Sequence, residues 1–172
     1  AASGRDVTFD WAITPGTAAA GTDYTNNTGS VTISAGSTTA AVSVVTLDDA
    51  IDENAENFTV TISNPGNATV SDSTGIATLN DNDSVPTLAI DDVTIVEGNT
   101  AAFTVTLSAV SGLNVTFDWA SANGSAIAGN DYTAGSATGV TIPAGSTTAT
   151  VNVLTTNDTL NETSEAFTVT IS

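Results

Sequence analysis

The chain has 172 residues, with nineteen acidic side chains against a single basic one, Arg5, and it contains no His, Cys, Met or Lys. A formal charge of −18 repels phosphate backbones and anionic lipid, which excludes nucleic acid and membrane surfaces as partners. The missing residue types exclude ordinary zinc, haem, copper and iron–sulfur sites, Schiff-base chemistry and a phosphate-binding lysine, and leave an oxygen-ligated cation as the favoured site chemistry.

In chain order the first element is a strand. Val7, Phe9, Trp11 and Ile13 alternate with Thr8, Asp10 and Ala12, the period-two signature of one buried face. Pro15-Gly16 closes it, and AGTDYT follows at 20–25. VTIS at 31–34 runs into an Ala35-Gly36-Ser37 turn, and Val42, Val44 and Val45 mark a further strand. An acidic loop, LDDAIDENAE, leads into Phe58, Val60 and Ile62, which alternate with Thr59 and Thr61. The run ends in LNDND at 79–83, and Val85-Pro86 opens new strands over 87–107. The pattern then repeats: VTFDWA at 115–120, AGNDYT at 128–133, VTIPAGSTTA at 140–149, Val151, Val153 and Leu154, and EAFTVTIS at 165–172.

The offset between copies is 108 residues early and 109 late, so one inserted residue separates them. A period this long is a tandem domain and not a solenoid turn. The register places repeat one at 1–84 and repeat two at 85–172. On that register repeat one lacks the equivalent of about 85–108, its first strands, and repeat two lacks the equivalent of 64–84, its last strand. An excerpt of a longer repetitive protein is expected. About seven short strands per repeat, with no helical apolar face, predict an all-β fold of tandem immunoglobulin-like β-sandwiches. No run of eighteen apolar residues exists to span a membrane as a helix. Trp11 and Trp119, alternating with core residues, are expected to be packing residues and not sugar platforms. Tyr24 and Tyr132 are expected to pack or hydrogen-bond near the loop they follow.

Most of the acids concentrate at strand ends: Asp23, then Asp48, Asp49, Asp52, Glu53 and Glu56, then Asp81 and Asp83; in repeat two, Glu97, Asp131, Asp158, Glu162 and Glu165. If alternate loops of a sandwich meet at one pole, these carboxylates converge and repel. Arg5 alone cannot balance them, so bound cations must. Calcium takes roughly 6–8 oxygen ligands in flexible geometry, magnesium wants a stricter octahedron, and transition metals normally recruit His or Cys.

The succession AGTDYT, an AGSTT turn, LDDAIDENAENFTVTIS and a terminal LNDND resembles the Calx-beta domain, a calcium-binding β-sandwich found in sodium/calcium exchanger regulatory segments and in large bacterial surface proteins. The resemblance spans essentially the whole chain as two copies. In repeat one it implies Asp23, Asp48, Asp49, Glu53, Glu56, Asp81 and Asp83 as Ca2+ ligands. In repeat two it implies Glu97 of VEGNT, Asp131, Asp158, Glu162 and Glu165. Asn157 stands where the first loop Asp is expected, and Asn82 where the family often has a third linker Asp; both lower the expected affinity or number of ions.

The expected function is that of a calcium-rigidified extender in a large extracellular or bacterial cell-surface protein, an adhesin or a filament. Its expected partners are neighbouring repeats of the same or adjacent chains, and no insertion into a membrane is expected. The alternative is a calcium-sensing regulatory module of a membrane-linked protein. Paired carboxylates can serve glycoside hydrolysis, but no His, nearby Arg or exposed aromatic platform accompanies them, so no enzymatic activity is expected. Thr-x-Thr strands such as Thr59-Val60-Thr61 suggest an ice- or crystal-binding face, but solubilising the outer sheet surface accounts for them.

Overall fold

A computed structural model describes every residue of the chain except Leu160 and Glu162. The described residues are all-β, with no helix, and they form sandwich-like layers. Among the described residues no helix is long and apolar enough to cross a membrane. The chain divides into two compact units, one of residues 1–50 and 54–82, the other of residues 51–53 and 83–172.

In unit 1, β1 (Val7–Pro15), β2 (Thr28–Ile33), β3 (Glu56–Gly66) and β4 (Thr74–Leu79) form one antiparallel sheet in the order β2-β1-β3-β4. The alternation in β1 works as the sequence predicts: Trp11 and Ile13 are buried, while Thr8, Ala12 and Thr14 are exposed. Trp11, Ile13, Ala18, Tyr24 and Phe58 make the core, and Val42 and Val44 pack against it. The Trp11 indole lies on Gly29, so close that a Cβ there would stand 3.0 Å from its ring nitrogen.

The expected strand over Val42–Val45 differs from the structure. Among the described residues no ladder includes 39–45, although the Val45 carbonyl accepts the Thr25 amide at 2.9 Å and Thr46 bridges Tyr24. Unit 1 has the four strands β1 to β4.

Unit 2 is a sandwich of two three-stranded sheets. β7 (Val115–Asn123), β8 (Ser136–Ile142) and β10 (Phe167–Ile171) pair in the order β10-β7-β8. β5 (Leu88–Ile90), β6 (Thr100–Leu107) and β9 (Thr148–Leu154) pair as β5-β6-β9. Ala101, Phe103, Val105 and Leu107 of β6 and Val151 and Val153 of β9 are buried between them, with Phe117, Tyr132 and Ile142. Trp119 is half-buried and packs on the same core, not on a ligand face.

The single inserted residue of repeat two has a structural identity. Aligning TGSVTI with SATGVTI leaves Gly139 over, and Gly139 sits at φ +65, a conformation that costs glycine least. The β7–β8 register shifts between Phe117 and Trp119, and the Gly139 amide donates to the Asp118 carboxylate at 2.8 Å. The insertion is a β-bulge pinned by an acid, which leaves the alternation on either side intact.

Candidate metal centre

Each repeat builds its acidic pole from the same local scaffold. In AGTDYT the chain turns back on itself, and the Asp23 carboxylate accepts the Ala19 amide at 2.5 Å. In AGNDYT the Asp131 carboxylate accepts the Ile127 amide at 2.6 Å. Tyr24 and Tyr132 follow, fully buried, and anchor the turns. The start of the acidic loop is then tied to the turn by backbone: Leu47 donates to the Asp23 carbonyl and Thr156 to the Asp131 carbonyl, both at 2.9 Å. A short, repeated network thus brings the DYT aspartate beside the acidic loop in both copies.

In repeat one, an oxygen each of Asp23, Glu53 and Glu56 lies within 4.8 Å of the others, and all three residues are half-buried. Two unit charges at such a separation repel by about 1–4 kcal/mol, depending on how far water screens them. The Ala19 amide holds the Asp23 carboxyl below its ordinary 3.8; burial opposes this, and hydrogen bonds with Glu56 and Thr22 add to it. The trio is a set of hard oxygen donors with no nitrogen or sulfur, which suits calcium or magnesium and not a softer metal. Asp23, Glu53 and Glu56 would hold such an ion.

The other implied ligands fall around this trio. Asp48 and Asp49 are exposed in the loop just past Leu47. Glu56, first residue of β3, pairs with Leu79, last residue of β4, so the strand carrying Asp81 leaves the sheet at the acidic end of unit 1. Asp81 is exposed and Asp83 half-buried. Neither they nor Asp48 and Asp49 belong to the close group.

In repeat two, Glu97 is exposed in the turn before β6. The following Gly98 has φ +79, and a Cβ on it would stand 2.7 Å from Cβ of Asn157, so this turn presses on the acidic loop. Thr155 seals the contact, its amide and hydroxyl both donating to the Asn99 carbonyl at 3.0 and 2.7 Å. Glu97, Asp131 and Asp158 therefore share one pole of unit 2, with Asp158 and Glu165 exposed. Glu162 lies outside the described residues, so the counterpart of the Asp23–Glu53–Glu56 group is not drawn.

Several acids serve structure instead. Asp6 accepts the Ala35 amide at 2.8 Å, closing the AGSTT turn. Asp10 accepts from the Ser30 hydroxyl and the Asn64 side-chain amide, which hold its carboxyl below 3.8 in that order of effect. Asp52, an acid of the loop outside the implied ligand set, is buried in unit 2, its carboxylate accepting from the Ser111 hydroxyl at 3.1 Å.

The Calx-beta domain family matches the chain twice, over residues 1–84 and 80–172. No curated protein matches. Among solved structures, the chain is similar to CBD12 from CALX1.2, at 18% identity, covering 98% of this chain and 68% of that one with a TM-score of 0.46. It is similar to the calcium binding domain CBD12 of CALX1.1, at 18% identity, 98% and 67% coverage and a TM-score of 0.46. It is also similar to the apo-form Calx CBD1 domain, at 22% identity, covering 46% of this chain and 72% of that one, with a TM-score of 0.40.

Proposed function

This chain belongs to the Calx-beta domain family, and on that premise we propose that it is a calcium-stiffened structural repeat of an extracellular or bacterial cell-surface protein, an extender or stalk. Calx-beta domains are calcium-binding modules, and Ca2+ is the cofactor. The observation that carries the reading is the convergence of Asp23, Glu53 and Glu56 in a chain whose only basic side chain is Arg5. Without a cation those carboxylates repel; with one they become mutual anchors. The loop is then tied to the DYT turn, and chain that repulsion would loosen is held.

In repeat one the proposed ligand set is Asp23, Glu53 and Glu56, joined by Asp48, Asp49, Asp81 and Asp83 when the exposed loops fold over the ion. In repeat two it is Glu97, Asp131, Asp158, Glu162 and Glu165. The near-absence of basic residues and the close similarity of the repeats support an array of such modules in calcium-rich fluid, with neighbouring repeats as partners. Extracellular modules bind calcium with Kd of about 10⁻⁴–10⁻³ M.

Thermal unfolding of the chain, titrated with calcium from micromolar to ten millimolar, tests this. At ten millimolar, linkage gives about 1.4–2.7 kcal/mol per ion, a rise in midpoint of about 5–20 °C for a unit this size. Glu53→Gln with Glu56→Gln should abolish the part belonging to repeat one. Saturation near micromolar calcium would favour the regulatory sensor, and no shift at any concentration would end the calcium reading for this chain.

A further inference from the structure

Three segments of unit 2 carry the acids of its pole: the turn 96–99 with Glu97, AGNDYT at 128–133 with Asp131, and the loop after β9 with Asp158. Their carboxylates do not form a close group, so what stands ready before an ion arrives is the scaffold and not the ligand cage. The three segments of that scaffold meet at Thr155 and Thr156, the two residues that follow β9. Thr155 bridges Tyr132, which is 1% exposed, and the Thr156 amide donates to the Asp131 carbonyl at 2.9 Å. Thr155 also gives both its amide and its hydroxyl to the Asn99 carbonyl, at 3.0 and 2.7 Å. A carbonyl oxygen has two lone pairs, and here one residue takes both. The turn is braced from within as well, since the Asn99 side-chain amide donates to the Val96 carbonyl at 3.0 Å. Gly98, at φ +79, leaves no room for a side chain: a Cβ would stand 2.7 Å from Cβ of Asn157.

We infer that Thr155 is a positioning residue for the calcium pole of repeat two, its hydroxyl holding the Glu97 turn against the acidic loop. The inference rests on the calcium reading above and concerns how far the pole is built before the ion binds. The residues fit a hard cation: the side-chain donors are all oxygen, and Gly98 lets the turn close to contact with Asn157. Glu97, Asp131 and Asp158 carry like charge, and their repulsion works to open the pole. The Asp131 side resists through backbone, by its carbonyl on the Thr156 amide and by the Ile127 amide on its carboxylate at 2.6 Å. The Glu97 turn lies just past the β6–β9 ladder, whose last pair is Thr100 opposite Leu154. There the Thr155 hydroxyl adds a side-chain bond to the backbone one. Apparent affinity falls with the fraction of molecules whose ligands stand in the competent arrangement. A group that keeps the turn closed therefore raises affinity without touching the ion.

Calcium alone, titrated by calorimetry into the full chain carrying Glu53→Gln and Glu56→Gln, reports repeat two. In that background Thr155→Val keeps the side-chain shape and the backbone bond, and should weaken binding about two- to tenfold, the worth of one hydrogen bond. Thr155→Ser returns the hydroxyl and should return the affinity. In the calcium-free chain Thr155→Val should also speed hydrogen exchange of the residue 155 amide by about two- to tenfold. Asn114→Ala is the control: it removes the acceptor of the Ala144 amide, in the turn ahead of β9. It should lower the unfolding midpoint of unit 2 and leave calcium affinity as it was. Affinity unchanged by Thr155→Val, or lowered equally by Thr155→Ser or by Asn114→Ala, would overturn the inference while the calcium reading stands. Exchange at residue 155 unaltered by Thr155→Val would overturn it as well. No binding by the Glu53→Gln, Glu56→Gln chain would overturn both the inference and the calcium reading of repeat two.

Discussion

Tyr24 and Tyr132 hold the same place in the same motif, are equally buried, and differ in one atom's fate. Each ring lies on the phenylalanine of the following FTVTIS strand: Tyr24 on Phe58 with centroids 4.6 Å apart, Tyr132 on Phe167 at 4.3 Å. The Tyr132 hydroxyl donates to the Asn123 side-chain carbonyl at 2.8 Å. The Tyr24 hydroxyl, equally enclosed, has no hydrogen-bond partner. The position equivalent to Asn123 is Pro15, whose ring offers no acceptor. Apolar packing is therefore carried over with the repeated backbone, whereas satisfaction of a buried polar atom hangs on one side chain at the end of β1.

The comparison can be broken most forcefully at the ring beneath each tyrosine. Phe58 is 2% exposed, and Phe58→Ala should cost unit 1 about 3–5 kcal/mol, the usual range for such a cavity. Phe167 is half-buried, and Phe167→Ala should cost unit 2 distinctly less. Calorimetry that resolves two transitions would check the order; equal losses would mean the two tyrosine–phenylalanine pairs are energetically alike despite their different exposure.

A smaller effect isolates the hydroxyl. Tyr132→Phe removes a made hydrogen bond and should destabilise unit 2 by about 1 kcal/mol. Tyr24→Phe removes a buried group with no partner and should leave unit 1 unchanged or slightly more stable. Denaturant midpoints of the two variants, at constant m-value, decide the matter. An equal loss in both would show that Tyr24 finds an acceptor in solution.

The smallest effect is electrostatic. The Asp10 and Asp23 carboxyls of unit 1 are both held below 3.8 in the folded chain. A depressed folded value adds stability that is fully present above the unfolded value and is withdrawn as pH falls through the folded one. Without calcium, the unit 1 midpoint should therefore fall as the pH drops below 3.8 and through the lowered folded values. Asp10→Asn should flatten that limb slightly while leaving the midpoint near pH 7 little changed. A limb unaltered by Asp10→Asn and Asp23→Asn together would assign the acid sensitivity to other carboxylates.

Much of this molecule was legible in its sequence. The alternation of Phe9, Trp11 and Ile13, and the turns at Gly36 and Gly145, both at positive φ, mark strands and their ends locally. The repeat supplied the register of unit 2 from that of unit 1. The acids were harder. Asp23, Glu53 and Glu56 come together, but Asp6, Asp10 and Asp118 from the same composition close turns and bulges, and Asp52 is buried against Ser111. A carboxylate's partner lies twenty or more residues away in most of these cases, and charge alone does not say which donor it meets.

The sequence by itself determined the all-β class, the tandem repeat, the strand faces and the preference for a hard cation, because side-chain alternation, turn chemistry and donor type are properties of short segments. Only the tertiary structure decided which three carboxylates of repeat one converge, which valines are covered and which tyrosine hydroxyl is satisfied. Each of those depends on what a distant segment places against the residue, and identical local sequences meet different neighbours in the two units.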